Sequence, residues 1–116
     1  MKEKLISTLE ELDFPVMLQG SLGEENEYPD SFITFWCDDT EDNQHFDNDA
    51  HATYWTFSVI FYSNNPILVN TVPSVIRALL KGAGFIPQGK GNDIPSDEPT
   101  HTGWAMEFIG TEEINL

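Results

Sequence analysis

Basic residues are scarce in this chain: five Lys and Arg stand against twenty Asp and Glu, for a formal charge of −15 at pH 7. So few cations cannot neutralise a run of phosphates, and direct binding to the nucleic acid backbone is not expected. The same charge keeps single subunits soluble and opposes self-association unless apolar contacts or salt offset it. Cysteine is nearly absent too. Cys37 is the only one, so no intrachain disulfide can form, and the chain reads as built for a reducing cytoplasm. Following Trp36, Cys37 reads as a small, half-buried apolar side chain. Long hydrophobic runs are missing as well. The apolar residues after Met1-Lys2-Glu3-Lys4 are broken by Ser7, Thr8, Glu10 and Glu11, which argues against a signal peptide or a transmembrane segment. With no internal repeat, low-complexity tract or linker, the 116 residues are expected to form a single domain.

What is present is a globular composition, 40% hydrophobic and 12% aromatic. Its clearest stretch runs from Thr53 to Gly84. Trp55, Phe57, Val59 and Phe61 recur at every second position, which is strand spacing with one apolar face. Ser63-Asn64-Asn65-Pro66 then predicts a turn and a helix start, because Asn caps a helix N-terminus and Pro fits the first helical position. Leu68, Val69, Val72, Ile76, Leu79 and Leu80 follow at helical spacing, and Gly82 or Gly84 supplies the stop. Pro73 interrupts the pattern. It predicts either a kink or a short first turn leading into a main helix from about Thr71.

Leu5, Ile6, Leu9 and Leu12 predict an amphipathic helix over residues 2–13, ended by Phe14-Pro15. Val16 to Gln19 predicts a short strand, residues 24–31 a loop, and Phe32 to Trp36 a second strand. From Asp38 to Asp49 the residues Asp38, Asp39, Glu41, Asp42, Asp47 and Asp49 meet no basic residue and little to bury, which predicts a solvated acidic loop. Phe85-Ile86-Pro87 opens a short extended piece and Gly89 to Pro99 reads as a loop. Trp104 to Ile109 is the last strand and Thr111 to Leu116 a frayed tail. The order is helix, strand, strand, strand, helix, strand, strand. That predicts an α+β fold, with one mainly antiparallel sheet of about four strands and two helices packed on one face.

No constellation commits the chain to catalysis. Gly84 to Lys90 matches the first seven places of a phosphate-binding loop, but Gly91 stands where Ser or Thr would hold magnesium. A helix precedes it where a strand is required, so a helix cap and turn is the expectation. His45, Asp47, Asp49 and His51 match no zinc spacing and lack the glycine of a calcium-binding loop. Asp93, Ser96, Asp97, Glu98 and His101 are the densest set of acid and base groups, yet short polar side chains between prolines more often tie a loop to its own backbone. His101 is expected to be such a hydrogen-bonding residue. No enzyme activity, metal or cofactor is expected. Three Trp, eight Phe and three Tyr fit either an aromatic core or a subunit interface.

Several of these stretches together resemble the small tail-terminator proteins of long-tailed bacteriophages and prophages, also called tail-completion or tail-to-head joining proteins. They are the short N-terminal helix, Tyr28-Pro29-Asp30-Ser31-Phe32-Ile33-Thr34-Phe35, the strand ending Phe61-Tyr62-Ser63, the helix ending Leu79-Leu80-Lys81-Gly82-Ala83-Gly84-Phe85, and the strand after Pro99-Thr100-His101-Thr102-Gly103-Trp104. The resemblance implies a virion structural protein, assembled in the host cytoplasm, that closes into a hexameric ring at the head–tail junction. There it would stop the tail tube and dock the head connector proteins. DNA would pass a carboxylate-lined lumen without being bound specifically, and no membrane is involved. Trp36, Asp93, Asp97, His101 and Trp104 are the expected interface residues, and Asp38, Asp39, Glu41, Asp42, Asp47 and Asp49 the expected acidic loop. The competing expectations are an acidic phage-encoded inhibitor that mimics DNA, and a small enzyme using the Asp93–His101 loop.

Overall fold

A computed structural model describes residues 1–19, 28–44, 51–96 and 98–114. The elements run α1 (Lys2–Glu10), β1 (Val16–Leu18), β2 (Ser31–Gln44), β3 (His51–Ser63), α2 (Pro66–Gly82), β4 (Ile86–Pro95) and β5 (Thr102–Ile114). They form an α+β fold with one mixed sheet of five strands in the order β1-β2-β3-β5-β4. Every neighbouring pair is antiparallel except β1 with β2. The expected element order and single-sheet architecture hold, with one strand more and one parallel pair.

β3 is central because its residues can be buried on both faces. Phe57, Val59 and Phe61 point to the helices and are fully buried, along with Leu5, Leu9, Ile76, Leu80 and Phe108 of the same cluster. Each such side chain contributes about 1.5–3 kcal/mol by leaving water. Ile60 and Tyr62, on the other face, join Phe32 in a smaller cluster, with Phe32 and Tyr62 stacked at 5.1 Å. The aromatic residues are thus largely spent on two cores.

α2 starts as the Asn-Pro pair predicts: the Asn65 side chain accepts the Ile67 amide at 3.0 Å and Pro66 is the first helical residue. It ends in a Schellman motif. The Phe85 amide reaches the Leu80 carbonyl and the Gly84 amide the Lys81 carbonyl, with Gly84 at φ 100°. The phosphate-loop look-alike is therefore a helix end running into a strand. Pro73 lies inside a single helical element and is buried, so no separate first turn precedes a main helix near Thr71. α1 stops earlier than expected. After Glu10 the bonds tighten to i→i−3 and Asp13 turns left-handed at φ 62°, while Leu12 and Phe14 still pack on the core.

Three stretches read as irregular are strands. Asp38, Asp39, Glu41 and Asp42 lie in β2, which continues to Gln44 and pairs with β3 out to His51. The carboxylates gave no apolar alternation, but an edge strand tolerates charge when a β-rich partner templates it, and Thr53, Tyr54 and Trp55 belong to that partner. Residues 89–95 belong to β4, and residues 111–114 extend β5 along β3. Asp47 and Asp49 lie outside the described residues. The long strands give the molecule an elongated shape, 53 × 28 × 22 Å.

Candidate partner interface

The glycines of Gln88-Gly89-Lys90-Gly91-Asn92 mark a bulge in β4, where the register with β5 shifts between Gln88 and Asn92. Gly89 and Gly91 both take positive φ, 77° and 97°. Gly91 is required twice over, because a Cβ there would collide with the Ala105 carbonyl and the Trp104 indole nitrogen. Trp104 Nε1 donates to the Lys90 carbonyl at 2.9 Å and Arg77 Nε to the Gly89 carbonyl at 3.4 Å. The first bond ties the bulge to β5 and the second ties it to α2, and Lys90 lines the same groove as Arg77.

The result is a groove between α2 and β4. One part, about 330 Å³, is lined by Val69, Asn70, Pro73, Ser74, Arg77, Lys90 and Trp104. An adjoining hollow of about 420 Å³ shares Val69 and Asn70 and adds Pro66, Asp93, Pro95 and Thr102. Pro73 helps form the wall, and its ring leaves the Val69 carbonyl without the amide donor a helix normally supplies. Beside it the exposed flank of α2 carries Ile67, 70% accessible.

The charge of this surface is opposite to that of the chain. No Asp or Glu occurs between Asp49 and Asp93, while three of the five basic residues, Arg77, Lys81 and Lys90, fall inside that interval. Among the described residues no carboxylate pairs with Arg77 or Lys90; the ion pairs join the Met1 ammonium to Glu3 at 3.4 Å and Glu112 at 3.3 Å. Glu3 is held below the ordinary carboxyl value, first by its own backbone amide and then by that ammonium. The acid-free interval was readable in the sequence as a charge pattern, but apolar periodicity alone does not draw attention to it.

The expected interface residues divide. Asp93 and Trp104 sit opposite each other on β4 and β5, and both line the groove. Trp36 lies on the other face of the sheet. Its indole donates to Asp38, whose second oxygen accepts Ser58 Oγ at 2.7 Å, so Asp38 braces the bulge in β2 between Cys37 and Asp39. His101 is buried, 6% accessible, and is used by the fold rather than offered to a partner. Its Nε2 lies 2.8 Å from the Pro29 carbonyl and its Nδ1 2.9 Å from Thr100 Oγ1. A carbonyl only accepts, so Nε2 donates to Pro29, and Thr100 Oγ1 is the partner of Nδ1. The role expected of it as a loop-tying residue holds. Asp97 lies outside the described residues.

Opposite the groove, past Phe35, the outer edge of β2 has no described strand partner, and its Asp39 and Glu41 side chains are exposed. Among the described residues no three His, Cys, Asp or Glu side chains gather as metal ligands, and no helix is long and apolar enough to cross a membrane. No protein-family model matches the chain, and no curated protein matches it.

Proposed function

We propose that this chain is a structural subunit of a phage-type tail terminator, which caps a tail tube and joins it to the head as a ring. The observation that carries the reading is the ordered acidic face of the sheet. β2, β3 and β5 run on together to Gln44, His51 and Ile114, and on the face away from the helices Asp38 and Glu107 stand exposed on either side of Ser58. Ordered carboxylates of this kind suit a lumen wall that repels phosphate and lets DNA slide. The element order and the Thr53–Gly84 unit add support through the resemblance set out above. Negative-stain imaging and native mass spectrometry of the pure protein, with and without tail tubes, test it. Rings, or capped tubes of fixed length, are the expected outcome; a chain that never associates with tubes sinks the proposal.

A second reading gains from the same finding. Asp39 and Glu41 sit two residues apart on an ordered strand, which spaces their Cα atoms by about 7 Å. A DNA mimic needs carboxylates fixed on such a surface. Competition against a duplex for a basic, sequence-independent DNA-binding protein discriminates: displacement of the duplex at stoichiometric protein favours mimicry, and none favours the ring subunit.

A further inference from the structure

We infer that the α2–β4 groove receives a second copy of this chain, and that what it receives is the exposed acidic edge of that copy's β2, centred on Asp39 and Glu41. The closing of such contacts into a ring rests on the function proposed above; the contact itself does not.

Two copies carrying −15 each repel wherever carboxylates face each other. The acid-free interval from residue 50 to residue 92 is the part of the chain an acidic neighbour approaches at least cost, and it is concave where its cations converge. Arg77 uses its Nε on Gly89, which leaves the other guanidinium N–H groups to meet a carboxylate. Lys90 is exposed on the bulge beside it. Trp104 supplies an aromatic wall of the sort that anchors interfaces, and the exposed Ile67 adds apolar area on the flank of α2 next to it. Asp93 lies in the adjoining hollow, repels carboxylates there and so sets how far along the groove the acidic edge reaches.

The complement is on the other side of the same sheet. β2 and β4 lie on opposite sides of the β3–β5 pair, so groove and acidic edge face away from each other. A contact between unlike surfaces is heterologous and propagates head to tail, which generates a ring when the rotation per step closes. Direct strand addition at β4 is discouraged by Pro87, Pro95 and the bulge. Side chains therefore carry the contact.

Charge reversal tests it in the full chain. Association is measured by sedimentation velocity and native mass spectrometry over a range of protein concentration and salt. The wild-type chain self-associates. Arg77→Glu with Lys90→Glu weakens association at least about tenfold, as does Asp39→Lys with Glu41→Lys. An equimolar mixture of the two double variants regains association, because each groove then meets an edge of opposite charge. Lys90→Glu and Asp39→Lys alone form a second pair, which keeps the test intact if loss of Arg77 unseats the bulge. A wild-type chain that stays monomeric to millimolar concentration overturns the proposal, as does a reversed groove that associates like wild type or a mixture that fails to recover. A chain that assembles through the groove but ignores tail tubes sinks the tail reading and leaves this contact standing. Capped tubes that persist unchanged with the reversed groove do the opposite.

Discussion

The two faces of β3 share one backbone and differ in what covers them. Toward the helices, Phe57, Val59 and Phe61 sit in a continuous apolar layer with Leu5, Leu9, Ile76 and Leu80. On the other face, Ile60 and Tyr62 form a three-residue cluster with Phe32, covered by partly buried side chains such as Tyr28, Trp36 and Ile94, and the strand continues as Ser58, Thr56 and Tyr54. A side chain between two packed layers has nowhere to relax when a neighbour is cut back. One under a partial cover can let the cover settle. The first face sets stability, and the second leaves room for polar and charged side chains near the edges where partners meet.

The largest effect is expected where that contrast is strongest. Phe57→Ala removes a fully buried ring that stacks with Trp55 and meets Phe85 edge-on. A loss of about 3–5 kcal/mol is expected in urea unfolding, close to the whole stability of a small domain. Ile60→Ala, equally buried on the other face, is expected to cost about 2–3 kcal/mol. Equal losses would break the comparison and show that the partial cover is as rigid as the helix layer.

The same contrast explains what the sequence could disclose. Thr53 to Gly84 was legible because one strand face and one helix face carry apolar residues at fixed periods, and Asn65-Pro66 and Gly84 mark the joints chemically. The acidic half of β2 was not. Its pairing comes from β3 across the sheet, and exposed carboxylates on an edge leave no alternation to read. In β4, Gly89, Gly91, Pro87 and Pro95 are turn signals one by one, yet they build a bulged edge strand that β5 holds in place. The groove followed the same logic. Trp104 and Asp93 stand out in the sequence by aromatic and charged character, whereas Arg77 and Lys90 come together only through the bulge.

Gly91→Ala probes that bulge. Positive φ and the collision with Ala105 and Trp104 both oppose a methyl group, so a loss of about 1–3 kcal/mol is expected. Tryptophan fluorescence should report the displaced Trp104 indole. Gly89→Ala has the strained φ but open space around its Cβ, and is expected to cost less. Equal effects would mean that backbone strain alone matters there. Next in size is Asn65→Ala, which removes the cap of the helix that covers the better-packed face. About 1 kcal/mol is expected, seen as a lowered Tm with an unchanged circular dichroism spectrum.

The smallest effect belongs to the solvent side of the helix layer. Glu3 is fully exposed, and its carboxyl lies below its ordinary value of 4.5 because its own amide and the Met1 ammonium favour the ionised form. A depressed acid pKa stabilises the fold above the unfolded value, and that contribution disappears as pH falls through the folded value. Glu3→Gln is therefore expected to lower Tm slightly at neutral pH and to match the wild type once the solution is well below 4.5. Salt should shrink the difference at neutral pH, since an exposed charge is screened. A difference that survives in acid would mean that the side chain acts through packing, and α1 would then have no purely solvent-facing side.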